Sequence, residues 1–337
     1  MKHCLFLCLF PIFSFAQWEL QTSNVDASFR AVTAVSNKVA WIGGSKGTVL
    51  KTNNGGKTWE KCPVLGAEKL DFRGIYAFDE KNVVIVSAGP AEEGQAKIFR
   101  SGDGGKTWQQ TYESIQKGVF LDGVAFWDAQ NGLVFGDPIN GKWFLLRTSD
   151  GGKTWQSIDS TNFPPNLPNE AAFAASNSSL VVQGSKNAWI GTGGADRARV
   201  FYSNDRGTTW QVSETLMQAS STAGIFGLGF QDAQNGIAVG GDYKAEKQAS
   251  ENVLITKNGG QTWQNATATN PVGLKEGIIK LSNGMWLAVG PSGTCVSPNF
   301  GVAWQPLETT NMPFHAVACA QKTCWAVGGK GIIARLK

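Results

Sequence analysis

The chain has 337 residues and a formal net charge of +4, which is too small a bias to indicate nucleic-acid binding. Hydrophobic residues make up 42% of it and charged residues 17%, as in ordinary globular proteins, while 41 glycines and 13 tryptophans are typical of a β protein rich in turns. Of the two histidines, His3 lies in the N-terminal segment, so we expect no metal site of Cys and His ligands and no cofactor.

Residues 1–16 have the pattern of a cleavable signal peptide. Lys2 is followed by an apolar run from Cys4 to Phe15 and by the small residue Ala16. The run is too short to span a bilayer, and residues 17–337 contain no other long apolar segment, so we expect no transmembrane segment. Cys4 and Cys8 lack the small residue that precedes a lipidated cysteine. The sequence therefore predicts an exported, periplasmic or secreted monomer whose residues 17–337 form one domain.

Six octets share one pattern: Ser or Thr, any residue, Asp or Asn, any residue, Gly, any residue, Thr or Ala, and Trp. Ser101 to Trp108 is the clearest copy. A short Asp or Asn side chain can bond to nearby backbone N–H groups and hold a tight turn, and the Gly supplies a conformation that other residues resist. Six copies indicate a repeat architecture with one turn per unit. The predicted structural turn residues are Asn54, Asp103, Asp150, Asp205, Asn258 and Asn299.

Trp18 continues the series of octet tryptophans backwards, without an octet of its own. Between the octets runs a second ladder of seven apolar segments, such as residues 40–43 and 188–191. Together they predict an all-β fold, a seven-bladed β-propeller of four-stranded antiparallel blades. The N-terminal strand, residues 17–21, is expected to join the last blade by pairing with residues 331–336. Such closure removes the exposed sheet edges that invite aggregation.

Alternation and turn signals place the innermost strand of each blade. The predicted innermost strands are Ala31–Val35, Gly74–Phe78, Gly123–Trp127, Ser179–Gln183, Gly227–Gln231, Gly277–Leu281 and Ala316–Ala320. The interval before Ser179 is the longest, because it contains a Pro-rich connector, residues 162–168, and then residues 169–175. We expect this insertion to form a loop or short helix over one face, and long ordered loops are often functional.

Four cysteines follow the predicted signal peptide. Cys319 and Cys324 flank a short turn between the two innermost strands of the last blade, so a disulfide between them is compatible with an exported protein. Cys62 and Cys295 are far apart in sequence and are expected to be packing residues.

The octets resemble the Asp-box, or BNR, repeats of sialidases and related propellers. With seven predicted blades and an export signal, residues 18–337 are most similar to the photosystem II stability/assembly factor-like family. The resemblance specifies the fold strongly and the activity hardly at all. It implies a protein-binding or assembly role, although some bacterial relatives carry labels such as oxidoreductase or glycosyl hydrolase.

Aligning the seven predicted units places a ring of side chains at the starts of the innermost strands. These starts surround the mouth of the central channel, on the face opposite the octets. The members of the ring are Arg30, Arg73, Asp122, Ser178, Phe226, Glu276 and His315, with Glu170 of the insertion nearby. Two arginines with carboxylates can form an anion- or sugar-binding cup, so we expect a protein partner or an acidic or glycan ligand there. Alternatively, these polar residues form only a solvated rim. The charged loops 90–97 and 242–251 are further candidate partner surfaces.

An enzyme is the alternative to a binding module. A sialidase-type site could be assembled from arginines on the substrate carboxylate, a tyrosine nucleophile with its glutamate, and an aspartic acid. The candidates for these roles are Arg30, Arg73, Arg197 or Arg199, Tyr243, Glu170 and Asp122. However, the Arg-Ile-Pro segment of sialidases is absent, and no dinucleotide-binding turn or Cys-x-x-Cys pair supports an oxidoreductase. We therefore predict a non-enzymatic binding or assembly module without catalytic residues.

Overall fold

The computed structural model describes residues 17–248, 251–266, 273–307 and 312–337. The predicted signal peptide, residues 1–16, and residues 249–250 of the 242–251 loop lie outside this range. Apart from a 3-10 turn at Ala91–Glu93, the described elements are β-strands. None of the described helical segments is long and apolar enough to cross a membrane.

The strands are short and follow one another closely along the chain. The first fourteen are β1 (Trp18–Gln21), β2 (Phe29–Ala34), β3 (Ala40–Gly44), β4 (Val49–Thr52), β5 (Glu60–Lys61), β6 (Phe72–Ala77), β7 (Val83–Ser87), β8 (Lys97–Ser101), β9 (Gln109–Glu113), β10 (Leu121–Phe126), β11 (Gly132–Ile139), β12 (Lys142–Thr148), β13 (Gln156–Ser157) and β14 (Leu180–Gln183). The others are β15 (Asn187–Gly191), β16 (Arg197–Ser203), β17 (Gln211–Gln218), β18 (Ala223–Phe230), β19 (Gly236–Asp242), β20 (Val253–Thr256), β21 (Gln264–Asn265), β22 (Gly277–Lys280), β23 (Trp286–Gly290), β24 (Gly293–Ser297), β25 (Gln305–Pro306), β26 (Phe314–Ala320), β27 (Thr323–Gly328) and β28 (Ile333–Leu336).

These strands form seven four-stranded antiparallel sheets. Blades 1 to 6 contain β2–β5, β6–β9, β10–β13, β14–β17, β18–β21 and β22–β25, and blade 7 contains β26, β27, β28 and β1. The first strand of each blade contacts the first strands of its neighbours, so these seven strands surround the central axis. The predicted seven-bladed propeller is confirmed.

A tryptophan fills each interface between adjacent blades. Apolar clusters of the described residues lie between consecutive blades, and each contains or contacts one tryptophan from an octet or from β1. In order from the interface of blades 1 and 2 to that of blades 7 and 1, they are Trp108, Trp155, Trp210, Trp263, Trp304, Trp18 and Trp59. The large apolar face of the indole suits it to this packing role.

The N-terminal strand closes the ring as predicted. Trp18 pairs with Leu336 and Gln21 with Ile333, so β1 supplies the outer strand of blade 7. The Trp18 indole N–H donates to Thr294 Oγ1 at 3.0 Å, and its ring lies 5.1 Å from that of Phe314. Trp18 is therefore hydrogen-bonded to blade 6 and packed against Phe314 of blade 7. It occupies the same place in this interface as the octet tryptophans occupy in the other six.

The octets form the turns between the third and fourth strands. In blade 2, the Ser101 hydroxyl accepts a hydrogen bond from Gly105 N at 2.9 Å, and Asp103 accepts one from Thr107 N at 3.0 Å and one from Thr107 Oγ1 at 2.6 Å. These bonds lower the pKa of Asp103 to about 2. Gly105 has φ 84°, and a Cβ there would lie 2.8 Å from Cys62 Sγ in the preceding blade, so only glycine fits.

The octet turns lie beside the turns that join the first two strands of each blade. Gly55 N in the blade 1 octet donates to Lys38 O between β2 and β3. Because the first strand runs from the other end of the blade to this turn, the octets and the starts of the innermost strands occupy opposite faces. We call the first the box face and the second the mouth.

Cys319 and Cys324 are directly opposite each other in the β26–β27 hairpin and form a disulfide, with their Cα atoms 4.0 Å apart. Cys62 and Cys295 are buried free thiols. Burial raises the pKa of the Cys62 thiol to about 11, so it is protonated and unreactive at neutral pH.

Peptide mapping of the unreduced protein checks the cysteine assignment. We expect mass spectrometry to find Cys319 linked to Cys324, and iodoacetamide to label Cys62 and Cys295 only after denaturation, because folding buries both thiols. Reduced, denatured protein, in which all four cysteines of residues 17–337 react, is the control. Labelling of Cys319 and Cys324 in oxidised, folded protein would contradict the assignment.

Candidate functional site

Five of the seven side chains of the predicted ring come from β-bulges at the starts of innermost strands. In blade 1, Phe29 pairs with Gly44 and Ala31 with Gly43, so Arg30 is an extra residue without a partner on β3. Such a bulge interrupts the alternation of side chains and redirects the extra one. The extra residues of blades 1, 2, 3, 5 and 7 are Arg30, Arg73, Asp122, Phe226 and His315.

The insertion before β14 crosses the axis at this mouth. The Asn177 side-chain amide donates to Ile75 O of blade 2 and Val124 O of blade 3, at 3.3 and 3.2 Å, and its Oδ1 accepts from Val124 N at 2.9 Å. On the other side of the axis, Ser176 Oγ donates to Glu276 O of blade 6 at 2.6 Å. Residues 171–178 therefore form a plug beneath the mouth, and the site is a cup with a floor.

The sequence analysis predicted a loop or short helix over one face, and the structure shows a loop that spans the mouth from blade to blade. Asn177 and Ser176, which fix the plug, were missed. The sequence offered one signal, since both residues are polar and come just before an innermost strand. It could not identify their hydrogen-bond partners, because these are backbone groups of distant blades.

Above the plug lies a cavity of about 400 Å³. One wall is aromatic: Phe173 of the plug stacks on Phe226 with ring centroids 4.1 Å apart, and the Tyr243 ring meets Phe173 edge-on at 6.3 Å. Acidic and basic side chains also line the cavity, and they are Arg30, Arg73, Asp122, Asp137, Glu246, Glu276 and His315. The cup thus offers both stacking surfaces and charged groups to a ligand.

Glu276 connects two of the predicted ring residues. Its Oε2 lies 2.5 Å from His315 Nδ1, and its Oε1 lies 3.6 Å from Arg30 Nη1. The Glu276 side chain is 4% exposed, whereas that of Arg30 is 25% exposed. Arg30 therefore keeps N–H groups that can reach a ligand in the cup.

Arg73 lies in the same cup and has a different partner. Its Nε donates to Asp71 Oδ2 at 2.8 Å, and its Nη1 lies 3.4 Å from Ala174 O in the plug. The side chain is 32% exposed, so part of the guanidinium faces the cavity. Arg30 and Arg73 are two partly accessible donors at one mouth.

Asp122 is the most unusual group of the cup. It is 1% exposed, and neither carboxylate oxygen has a hydrogen-bond partner among the described residues. Burial raises its pKa well above the ordinary value, and the neighbouring Asp137 raises it further, while Arg73 acts in the opposite direction. Burial also raises the pKa of Asp137 to about 6, although Asp137 accepts a hydrogen bond from Ala172 N at 3.0 Å. The sequence analysis left Asp137 outside the ring.

Glu170 does not belong to the ring, so that prediction is wrong. Its buried carboxylate accepts hydrogen bonds from Arg199 Nε at 2.9 Å, Thr192 Oγ1 at 2.7 Å and Leu167 N at 2.9 Å. The Pro-rich connector folds back on blade 4, and this carboxylate neutralises the buried Arg199 beneath it. Glu170 anchors the insertion and is not available to a ligand.

The arrangement also separates the residues considered for a sialidase-type site. Arg199 is held by Glu170, and Arg197 pairs with Glu214 at 2.7 Å on exposed strands. Tyr243 does reach the cavity, but without Glu170. A triad of arginines is therefore not assembled at the mouth.

Comparisons with known proteins agree with this fold. A sequence model of the family described as Sortilin-Vps10 (sortilin, neurotensin receptor 3) matches residues 96–212, which is less than half of the chain. The chain is also 23% identical over 292 residues to the photosystem II assembly lipoprotein Ycf48 of Picosynechococcus sp., and the match covers 75% of this chain and 78% of that protein.

Two solved structures illustrate the range of proteins with this architecture. A structure described as YCF48 bound to D1 peptide has a TM-score of 0.68 and 16% identity, and covers 94% of this chain and 96% of that one. Virginiamycin B lyase from Staphylococcus aureus has a TM-score of 0.67 and 13% identity, covering 95% and 99%. The predicted resemblance to photosystem II assembly factors is confirmed, while the fold is shared by an enzyme, so the site must indicate the activity.

Proposed function

We propose that this protein is an exported, monomeric, non-enzymatic propeller that binds an extended segment of a partner protein in the cup at its mouth, as an assembly factor does. The observation that carries the proposal is the plugged cup of about 400 Å³, which combines an aromatic wall with partly accessible arginines. Its volume lies in the range of sites that hold a few side chains. A propeller of the same fold in complex with a peptide supports this reading.

The chemistry of the cup suits a polypeptide. A peptide segment offers backbone carbonyls, which accept from the free N–H groups of Arg30 and Arg73, and side chains, which pack on Phe173 and Phe226. The plug is tied to blades 2, 3 and 6 by hydrogen bonds of Asn177 and Ser176. A surface that is ordered before binding lowers the ordering cost of binding.

Removal of both arginines tests this function. Immobilised residues 17–337 are incubated with the native envelope fraction, and captured proteins are quantified by mass spectrometry. We expect Arg30→Ala with Arg73→Ala to reduce capture of the principal partner by roughly tenfold or more, because charge-assisted bonds are lost. Melting curves verify that the variant is folded, because Arg30 pairs with the buried carboxylate of Glu276. Capture should also weaken as salt rises.

The matched control lies on the box face. Lys106→Ala with Arg206→Ala also removes two positive charges. Arg206 forms an ion pair with Asp128 at 3.1 Å and, like the two mouth arginines, is partly exposed. This variant should capture the partner as the wild type does. Equal capture by the mouth variant and the wild type would show that the ring is only a solvated rim and would refute the proposal.

Glycoside hydrolysis at the same mouth is the alternative function. The buried Asp122 has the raised pKa of a catalytic acid, but the glutamate considered as its companion, Glu170, is bonded to Arg199. Turnover in a glycan-hydrolysis screen that disappears on Asp122→Asn would replace the proposed function by this one.

A further inference from the structure

We propose that the cup recognises a basic side chain, a lysine or arginine of the bound segment, between Asp122 and Asp137. This inference rests on the proposed function and specifies the chemistry of the partner. Both residues line the cavity, and neither buried carboxylate oxygen of Asp122 has a hydrogen-bond partner among the described residues. An ammonium or guanidinium group is the ligand that would satisfy it.

The lack of hydrogen-bond donors to Asp122 destabilises the unliganded protein. A buried carboxylate without donors loses the hydration that it had in water, and an unsatisfied polar group of this kind calls for an explanation. Arg73, whose charge acts to lower the pKa of Asp122, is not hydrogen-bonded to it, and its Nε donates to Asp71 instead. On Asp137, one oxygen accepts from Ala172 N. Asp122 therefore has the vacant acceptors, and Asp137 adds a second charge.

The charge balance of the cavity points to the same class of ligand. Its lining holds four carboxylates, of Asp122, Asp137, Glu246 and Glu276, against the two arginines Arg30 and Arg73. Each arginine already has a carboxylate partner, Glu276 or Asp71. The excess of negative charge favours a cationic group over the acidic ligand expected from the sequence, because like charges across an interface repel.

The aromatic wall suits the stem of such a side chain. Lysine and arginine can lay their methylene groups on an apolar surface while the charged head meets its partner. The stacked rings of Phe173 and Phe226 line the same cavity as Asp122. A guanidinium or ammonium near these rings also gains cation–π attraction.

Recognition of a cation at this site depends on pH. The raised pKa values of Asp122 and Asp137 leave protons on the pair near pH 6, and a bound cation lowers both values and displaces protons. Arg73 of blade 2 acts electrostatically on Asp122, and Arg30, Glu246, Glu276 and His315 line the same cavity. Binding should therefore tighten as the pH rises from about 5 to about 7, with release of protons near pH 6.

Two capped dipeptides serve as probes: N-acetyl-phenylalanyl-lysine amide and its norleucine analogue, which has a similar apolar stem and no charge. Isothermal titration of residues 17–337 should show roughly tenfold or greater preference for the lysine probe at about pH 7, and a smaller preference at about pH 5. Titration at about pH 6 in two buffers of different ionisation enthalpy should report proton release with the lysine probe alone.

Asp122→Asn with Asp137→Asn should abolish the preference and the proton release, and both changes preserve side-chain shape. Glu80→Gln is the matched control, because it removes one exposed carboxylate from the box face, beside the blade 2 octet, and should leave the preference unchanged. Melting curves verify that each variant is folded. If the double variant unfolds, Asp122→Asn alone is used.

Equal binding of the two probes, no binding of either, or a preference that survives Asp122→Asn would overturn the inference. The proposed function is judged separately. Envelope capture that depends on Arg30 and Arg73 but is unchanged by Asp122→Asn would leave the function standing without basic recognition. Capture that is independent of the arginines would remove the function itself.

Discussion

Deletion of residues 17–22 is expected to remove most of the stability of the propeller. It opens the hydrogen-bonded edge of β28 and empties the interface site that holds Trp18, which is 3% exposed. The loss of a buried tryptophan alone costs about 3–5 kcal/mol, a large part of the roughly 5–15 kcal/mol that stabilises a typical domain. Urea denaturation followed by tryptophan fluorescence measures the change.

Two single substitutions separate packing from general disturbance of β1. Trp18→Ala should retain the strand and lose about 3–5 kcal/mol, because it leaves a cavity between blades 6 and 7. Leu20→Ala, on the same strand but 60% exposed, should change stability by less than about 1 kcal/mol. A truncated protein that melts at the wild-type temperature would show that β1 does not close the ring.

The second large effect is expected at Glu170. Glu170→Ala leaves the buried guanidinium of Arg199 without its carboxylate, and breaking a buried ion pair in this way typically costs about 3–5 kcal/mol. Glu214→Ala is the control, because its pair with Arg197 is exposed on both sides and should contribute about 1 kcal/mol or less. Both values are obtained from denaturant midpoints.

A compensating double variant makes the Glu170 prediction specific. Glu170→Leu with Arg199→Met removes both charges, so it should recover much of the stability lost in Glu170→Ala, since apolar groups can replace a buried pair. If Glu170→Ala is no more destabilising than Glu214→Ala, the carboxylate does not anchor the insertion. Its place in the ring would then have to be reconsidered.

The fold could be predicted because its signals are repeated. Each octet contains its own turn chemistry and its own interface tryptophan, and Trp18 marks the seventh interface by its spacing alone. In blades 1, 2, 3 and 7 the innermost strand begins two residues before its predicted start, as at Phe29 against Ala31, whereas in blade 6 it begins at the predicted Gly277. The reason is the bulge, in which one extra residue breaks the alternation used to find strands.

The site was predictable only in part. Side chains at strand starts share a position in every blade, so the alignment found Arg30, Arg73 and Asp122. Glu170 and Asn177 lie on an insertion that has no counterpart in the other blades. Their partners, Arg199 and the backbone of β6 and β10, are brought near by the path of that loop, which no periodicity specifies.

Photocrosslinking most directly tests the claim that the mouth binds a protein segment. A photoreactive phenylalanine analogue is introduced at Tyr243, which is 40% exposed beside the cup, or at Lys106 on the box face. After incubation with the envelope fraction and irradiation, crosslinked peptides are identified by mass spectrometry. We expect one partner segment at position 243, absent when Arg30 and Arg73 are replaced by alanine, and none at position 106. The same segment crosslinked at position 106, or at position 243 regardless of the arginines, would contradict the account.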